Sequence, residues 1–174
     1  MSGSTFALRD YRPGDEPEVR RIVTTVLTEY GLAPECGGVD ADLEDIHASY
    51  IARGGAFRIL EDGHGAIVGC GGLFPLDAEE AEIRKMYFLP AARGHGLGRK
   101  LLRELVEGAR AGGFRRVVLE TASILKEAIA LYRSFGFRPA QRQHLAGRCD
   151  QAYELELGGT AHRPSAAADL ENRH

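Results

Sequence analysis

"LPAARGHGLGRKLL", residues 89–102, sets three glycines in five positions between an apolar stretch and an amphipathic one. Fixing glycine in a fold costs conformational entropy, so three so close together need a reason in what approaches the backbone. A tight turn needs one or two. A phosphate-bearing ligand lying on bare peptide N–H groups uses all three. Upstream, "AEIRKMYFLP" (81–90) reads as a long strand ended by Pro90. Downstream, Leu101, Leu102, Leu105, Val106 and Ala109 share one helical face, and Gly112 and Gly113 stop the helix. The context is strand, glycine-rich turn, helix. A helix start offers unpaired N–H donors and the positive end of the dipole. Arg93, His95, Arg99 and Lys100 add cations there. The dinucleotide fingerprint fails, because Arg99 stands where its last glycine belongs, and "GRKLL" lacks the hydroxyl of a Walker loop.

Composition sets the frame. The 174 residues are 44% hydrophobic and 27% charged, enough for one sizeable core. A formal net charge of −3 provides no basic field for nucleic acid. No run approaches the roughly 18 apolar residues of a membrane span, and "MSGSTFALRD" lacks a signal-peptide core. Cys36, Cys70 and Cys149 are odd in number and lack metal-ligand spacing, so the expectation is no metal, no disulfide framework and a reducing cytoplasm.

The rest of the chain alternates strands and helices. Residues 5–9 read as a strand. Val19, Ile22, Val23, Val26, Leu27 and Tyr30 form a helical stripe that ends at Gly31, with Asp15 and Glu18 spaced as a capping box. A shorter helix is expected at 40–53, with Leu43, Ile46 and Tyr50 inward. "AFRILED" and "AIVGCGGLFPL" form a hairpin turned at "DGHG", and the glycines around Cys70 suggest a bulge or close approach. "FRRVVLET" is a buried strand, "SILKEAIALYRSFG" a helix capped by Ser123, and "FRPAQRQ" with "QAYELEL" a final antiparallel pair. Residues 1–157 thus read as one domain, and 158–174 as a flexible tail without periodicity.

Arg93, Gly96 and Gly98 make an Arg-x-x-Gly-x-Gly turn, and "AIALYRSFGF" (128–137) follows some thirty residues later. In motif, spacing and element order, residues 5–157 resemble the GNAT superfamily of acyl-CoA-dependent N-acetyltransferases. "TEYGL", "DADLEDI", "EIRKMYFLP" and "GRCD" resemble a bacterial group sometimes fused to a winged-helix regulator. The resemblance implies an α/β fold of the α+β type: a mixed, mostly antiparallel twisted sheet with helices on both faces. It implies acetyl-CoA as co-substrate, its pyrophosphate wrapped by Arg93, Gly94, His95, Gly96, Leu97, Gly98, Arg99 and Lys100. Met86, Tyr87 and Phe88 would line the acetyl and pantetheine arm.

Acetyl transfer to an amine needs a neutral amine, a polarised carbonyl and a proton for the leaving thiolate. Tyr132 matches the family's tyrosine beside the CoA sulfur, the expected general acid; by spacing alone it belongs to a core stripe with Leu125, Ala128 and Ile129. Glu120 ends an otherwise apolar strand, where a carboxylate is expensive unless paired or solvated, and it matches the proton acceptor of ribosomal-protein acetyltransferases. Glu82, near the start of the motif strand, is the rival base. Either could instead partner Arg84, Lys85 or Arg115. Many relatives carry Asn seven residues before the tyrosine, where this chain has Leu125.

The acceptor is expected to be a small-molecule or peptide amine near Tyr30, Leu32, Arg84 and His144. Arg84 and Lys85 could attract a carboxylate-bearing amine, but they read more simply as a solvated strand face. His144, Cys149 and Asp150 lack the spacing of a zinc site or a triad. The expected partners exclude nucleic acid and membrane, and the chain is expected as a monomer or homodimer. A non-catalytic acyl-CoA-binding regulatory module, and after it a nucleotide-phosphate-binding protein, are the alternatives.

Overall fold

The stripe at 19–30 forms helix α1 (Glu16–Glu29), which follows strand β1 (Ala7–Asp10) in the computed structural model; residues 5–158 are described. The expected tail beyond Gly158 lies outside the described residues. Three strands follow, β2 (Ala56–Glu61), the almost wholly buried β3 (Ile67–Pro75) and β4 (Glu80–Phe88), with the β2–β3 hairpin closing through an Asp62 N–H bond to Ala66. Helix α2 (Leu97–Ala111), β5 (Arg116–Thr121), α3 (Lys126–Phe135), β6 (Arg138–Ala140) and β7 (Gln151–Glu156) complete the chain.

The seven strands lie in the order β1-β2-β3-β4-β5-β7-β6, all neighbours antiparallel except β4 and β5. The mixed, mostly antiparallel sheet expected from the sequence is thus observed. Val19, Ile22, Val23 and Val26 of α1 pack with Phe57, Ile59 and Cys70 on one face. Leu101, Leu102 and Leu105 of α2 pack with Ile83, Val117, Leu119 and Tyr132 on the other. Strand β3 is close to both layers. A Cβ on Gly71 would lie 2.9 Å from Leu101, and one on Gly72 would lie 2.5 Å from the Tyr50 ring.

Three local expectations are corrected. Asp15 makes no capping bond, because its carboxylate accepts from Arg9 at 2.8 and 3.0 Å and from the Arg12 N–H at 2.7 Å. Ser123 does not cap α3. Its hydroxyl and N–H both donate to Asp150, at 2.6 and 2.7 Å, and α3 starts later, behind Leu125. The helix expected at 40–53 is instead a 3-10 turn (Ala41–Leu43) and one π-helical turn (His47–Ile51). Leu43, Ile46 and Tyr50 are buried as expected, but the Asp45 carboxylate accepts from the Ala48 N–H at 2.8 Å, and side-chain to backbone bonds of this kind compete with a continuous helix.

Candidate active site

The site begins where two parallel strands part. Strands β4 and β5 pair only over Glu80–Glu82 and Arg116–Val118, although β4 runs on to Phe88 and β5 to Thr121. On its other edge β4 carries an irregularity. Tyr87 opposes Cys70 and Arg84 opposes Gly72, so Lys85 and Met86 together face Gly71. Lys85 has φ +57°, the one non-glycine residue with positive φ among the described residues. A bulge of this kind bends the strand and interrupts its ladder. The conformation costs on the order of 1–3 kcal/mol and has to be held from outside. The Cys70 thiol donates to the Lys85 carbonyl at 3.1 Å, and the Lys85 ammonium is bound to Asp40 at 2.5 Å and the Val39 carbonyl at 2.8 Å. Between the parted strands, α1, α2 and α3 lies a cavity of about 430 Å³.

One end of this cavity is the glycine-rich turn: Arg93, Gly94, Gly96, Leu97, Gly98 and Arg99 all line it. Gly96 sits at the N-cap of α2 with φ +72°, a conformation that side chains disfavour. Gly98 is tight for another reason, since a Cβ there would lie 3.2 Å from Leu131 of α3. Bare backbone at a helix N-terminus, open to a cavity, is a suitable seat for a phosphate. The Arg93 guanidinium donates to the Phe88 carbonyl at 3.0 Å and grips Glu29, at the end of α1, at 2.6 and 2.7 Å. His95 and Lys100 are exposed and do not line the cavity; the His95 ring lies 5.1 Å from that of Phe6.

Tyr132 lines the cavity from α3 and is 6% exposed, with the Phe137 ring 6.0 Å from its own. Burial pushes its phenol above the ordinary value, so at neutral pH it is a proton donor. Tyr87 and Cys149 line the same space; burial raises the former to about 12 and the latter to about 11, which keeps both protonated. Met86 and Phe88 form the adjoining wall, and Leu125 lines it too.

Two carboxylates face the cavity from the parted strands. Since Glu82 opposes Val118 in register, Glu82 and Glu120 share a face of the sheet. Burial raises the Glu82 carboxyl above its ordinary value, with the Glu120 charge adding to the effect, while Arg84 at 2.7 Å opposes it. Glu120 accepts the Ala146 N–H at 2.8 Å and lies 4.0 Å from Arg142. Both bases expected from the sequence line the cavity, and each also has a cation near it. Glu82 pairs with Arg84, whereas the neighbour of Glu120 is Arg142 rather than Arg115, which pairs with Glu79.

Beyond them Leu32, Val39, Arg84, Lys85, Ala146 and Arg148 close the far end, while Tyr30 lines the wall 5.9 Å from the Arg93 guanidinium. The reading of Arg84 and Lys85 as a solvated strand face is corrected here. Lys85 is 6% exposed, and Arg84 lies over the Phe74 ring at 3.7 Å, because the bulge turns this part of β4 toward Asp40 and Asp42. His144 is exposed and off the cavity. Sequence reasoning missed Asp40 and Arg148. "DADLEDI" and "GRCD", the stretches holding or flanking them, stood out in the sequence but carried no pairing signal across 108 residues. Among the described residues, no group of three or more His, Cys, Asp or Glu could hold a metal ion, and no helix is long and apolar enough to cross a membrane.

Comparison with known proteins shows the family and the fold. Residues 24–137 match the family model described as acetyltransferase (GNAT) family. The chain is 44% identical over 128 residues to the uncharacterized N-acetyltransferase YjgM of Escherichia coli (strain K12), covering 71% of this chain and 76% of that protein. A GNAT-family acetyltransferase from Staphylococcus aureus superposes with a TM-score of 0.82 at 23% identity, over 88% of this chain and 100% of the other. A phosphinothricin acetyltransferase from Sinorhizobium meliloti, solved in complex with AcCoA, superposes at 0.67 with 24% identity, over 94% and 95%. With the splayed strands, the glycine turn and these likenesses together, the chain belongs to the GNAT family of acetyltransferases.

Proposed function

We propose that this protein transfers the acetyl group of acetyl-CoA to a primary amine by direct attack in a ternary complex. One observation carries the reading: a single cavity joins a glycine cradle at a helix N-terminus to a buried tyrosine and two carboxylates, between strands that part at a bulge. Gly94, Gly96, Leu97 and Gly98 would hold the pyrophosphate, with Arg93 and Arg99 beside it. Met86, Tyr87 and Phe88 would flank the pantetheine and acetyl groups.

A neutral amine attacks the thioester carbonyl, and the carbon–sulfur bond breaks as the tetrahedral intermediate collapses. Tyr132 donates its proton to the departing CoA thiolate. The proton lost by the amine goes to Glu82 or Glu120. Burial raises the Glu82 carboxyl above its ordinary value, and Glu120 is the one without a direct guanidinium bond. Tyr30, Leu32 and Arg84 bound the acceptor, a small-molecule or peptide amine, in a cytoplasmic protein supplied with acetyl-CoA.

The test is thiol release from acetyl-CoA over a broad amine panel. At least one amine should exceed the hydrolysis background, with a rate that rises with pH as the amine or its base loses a proton. Tight acetyl-CoA binding with no release over the whole panel would favour a binding module instead.

A further inference from the structure

Asp40 is 5% exposed and lies at the centre of four bonds from three parts of the chain. It accepts from both terminal nitrogens of Arg148, at 2.7 and 2.8 Å, from the Lys85 ammonium at 2.5 Å, and from the Glu35 N–H at 2.9 Å. The Lys85 ammonium also donates to the neighbouring Val39 carbonyl at 2.8 Å and stands 3.3 Å from Asp42. Each arm leads to the far end of the cavity. Lys85 is the left-handed residue of the bulge where β4 leaves its regular path. Arg148 anchors the 141–150 connection, whose Ala146 and Cys149 line the wall and whose Ala146 N–H positions Glu120. Asp40 itself ends the loop that carries Val39 and follows Leu32.

We propose that Asp40 is a positioning residue that clamps the acceptor wall, holding the 33–40 loop, the 141–150 connection and the Lys85 bulge in one arrangement. It does not reach the glycine cradle, which is built on α2 and the turn before it. Its single negative charge also offsets part of the positive charge of two cavity-lining cations, Lys85 and Arg148, that would otherwise oppose an incoming ammonium, with Asp42 3.3 Å from Lys85 supplying a second carboxylate. The kinetic half of the inference rests on the acetyl-transfer reading; the structural half does not.

Two variants test it, Asp40→Asn at the hub and Arg148→Gln at the less buried arm. Hydrogen–deuterium exchange on the full chain reads the clamp without any acceptor. Both variants should raise exchange in 33–40 and 141–150 by tenfold or more, while 93–100 stays as in the wild type. The double variant should go no further than Asp40→Asn alone, because both changes break one connection. With an amine found by the panel, both variants should raise its KM about tenfold or more. The acetyl-CoA Kd should stay within about twofold. Unchanged exchange at 141–150, or a loosening spread evenly over 93–100 as well, would overturn the clamp. An equal loss of acetyl-CoA affinity and acceptor KM would overturn its selectivity. If the wild type acetylates no amine, the exchange result still decides the clamp, and only the catalytic reading falls.

Discussion

Arg93 and Glu29 are joined across 64 residues by two hydrogen bonds of 2.6 and 2.7 Å, so the arginine of the glycine motif binds α1 rather than standing free. A third bond, to the Phe88 carbonyl, ties it to the end of β4. An exposed pair of this kind is easily exchanged for another anion. Arriving pyrophosphate should therefore take Arg93 from Glu29. Arg93→Ala should weaken acetyl-CoA binding about tenfold or more, the range of a charge-assisted contact. Glu29→Gln should leave binding unchanged or tighter. Titration calorimetry at two salt concentrations checks both, and an Arg93→Ala variant with wild-type affinity would confine Arg93 to the strut.

The cradle should fail by bulk rather than by charge. A Cβ at Gly98 already comes to 3.2 Å of Leu131, and valine adds two more carbons toward the turn. Gly98→Val should therefore abolish the melting shift with acetyl-CoA. The wild type should gain about 2.7 kcal/mol at a ligand concentration of 100 times Kd. A full shift in the variant would show that the glycines serve the turn alone.

Tyr132→Phe separates chemistry from packing. The ring and its contact with Phe137 remain, and only the buried proton donor is lost. General acid catalysis contributes about 10²–10⁴-fold, so kcat should fall within that range when thiolate departure limits the rate, with acetyl-CoA affinity almost unchanged. Tyr132→Ala should in addition lose roughly 3–5 kcal/mol of stability, as a large-to-small core change. A fully active, stable Phe variant would remove the proposed acid.

Acid should expose the Asp40 hub. Burial pushes this carboxyl up, but the bonds from Arg148 and Lys85 outweigh burial and hold it below its ordinary 3.8. A lowered carboxyl contributes stability above its unfolded value and loses it as pH falls through the folded one. The stability difference between wild type and Asp40→Asn should therefore be full at neutral pH and shrink below about 3.8. Its neutral size should be about 3–5 kcal/mol, the cost of removing one partner from a buried ion pair. Denaturant unfolding at several pH values measures it; a difference independent of pH would mean that Asp40 acts without its charge.

Glu82 and Glu120 differ in what each variant should do to the pH profile. Removing the true base by Glu→Gln should lower kcat and flatten the rise of rate with pH. Removing the other should change KM more than the profile. If both single variants keep the wild-type profile, an ordered water path takes the proton instead.

Much of the fold was legible because its signals are local. The stripes of α1 and α2 follow from helical spacing, and two apolar runs on either side of the turn at "DGHG" marked the hairpin. The glycine turn was readable because φ +72° at Gly96 leaves a mark in residue type. The caps at Asp15 and Ser123 were misread, since a short polar side chain serves a distant partner as readily as its own helix. What the linear order could not contain is the parting of β4 from β5 and the Asp40 hub. The stretches holding Asp40, Lys85 and Arg148 stood out in the sequence but carried no sign of one another, because their meeting depends on long-range pairing across 45 and 108 residues. Residue types and their spacing determine which elements form and where a phosphate can sit. Only the assembled sheet, with its bulge held by a buried carboxylate, decides that two strands separate and leave a cavity between them.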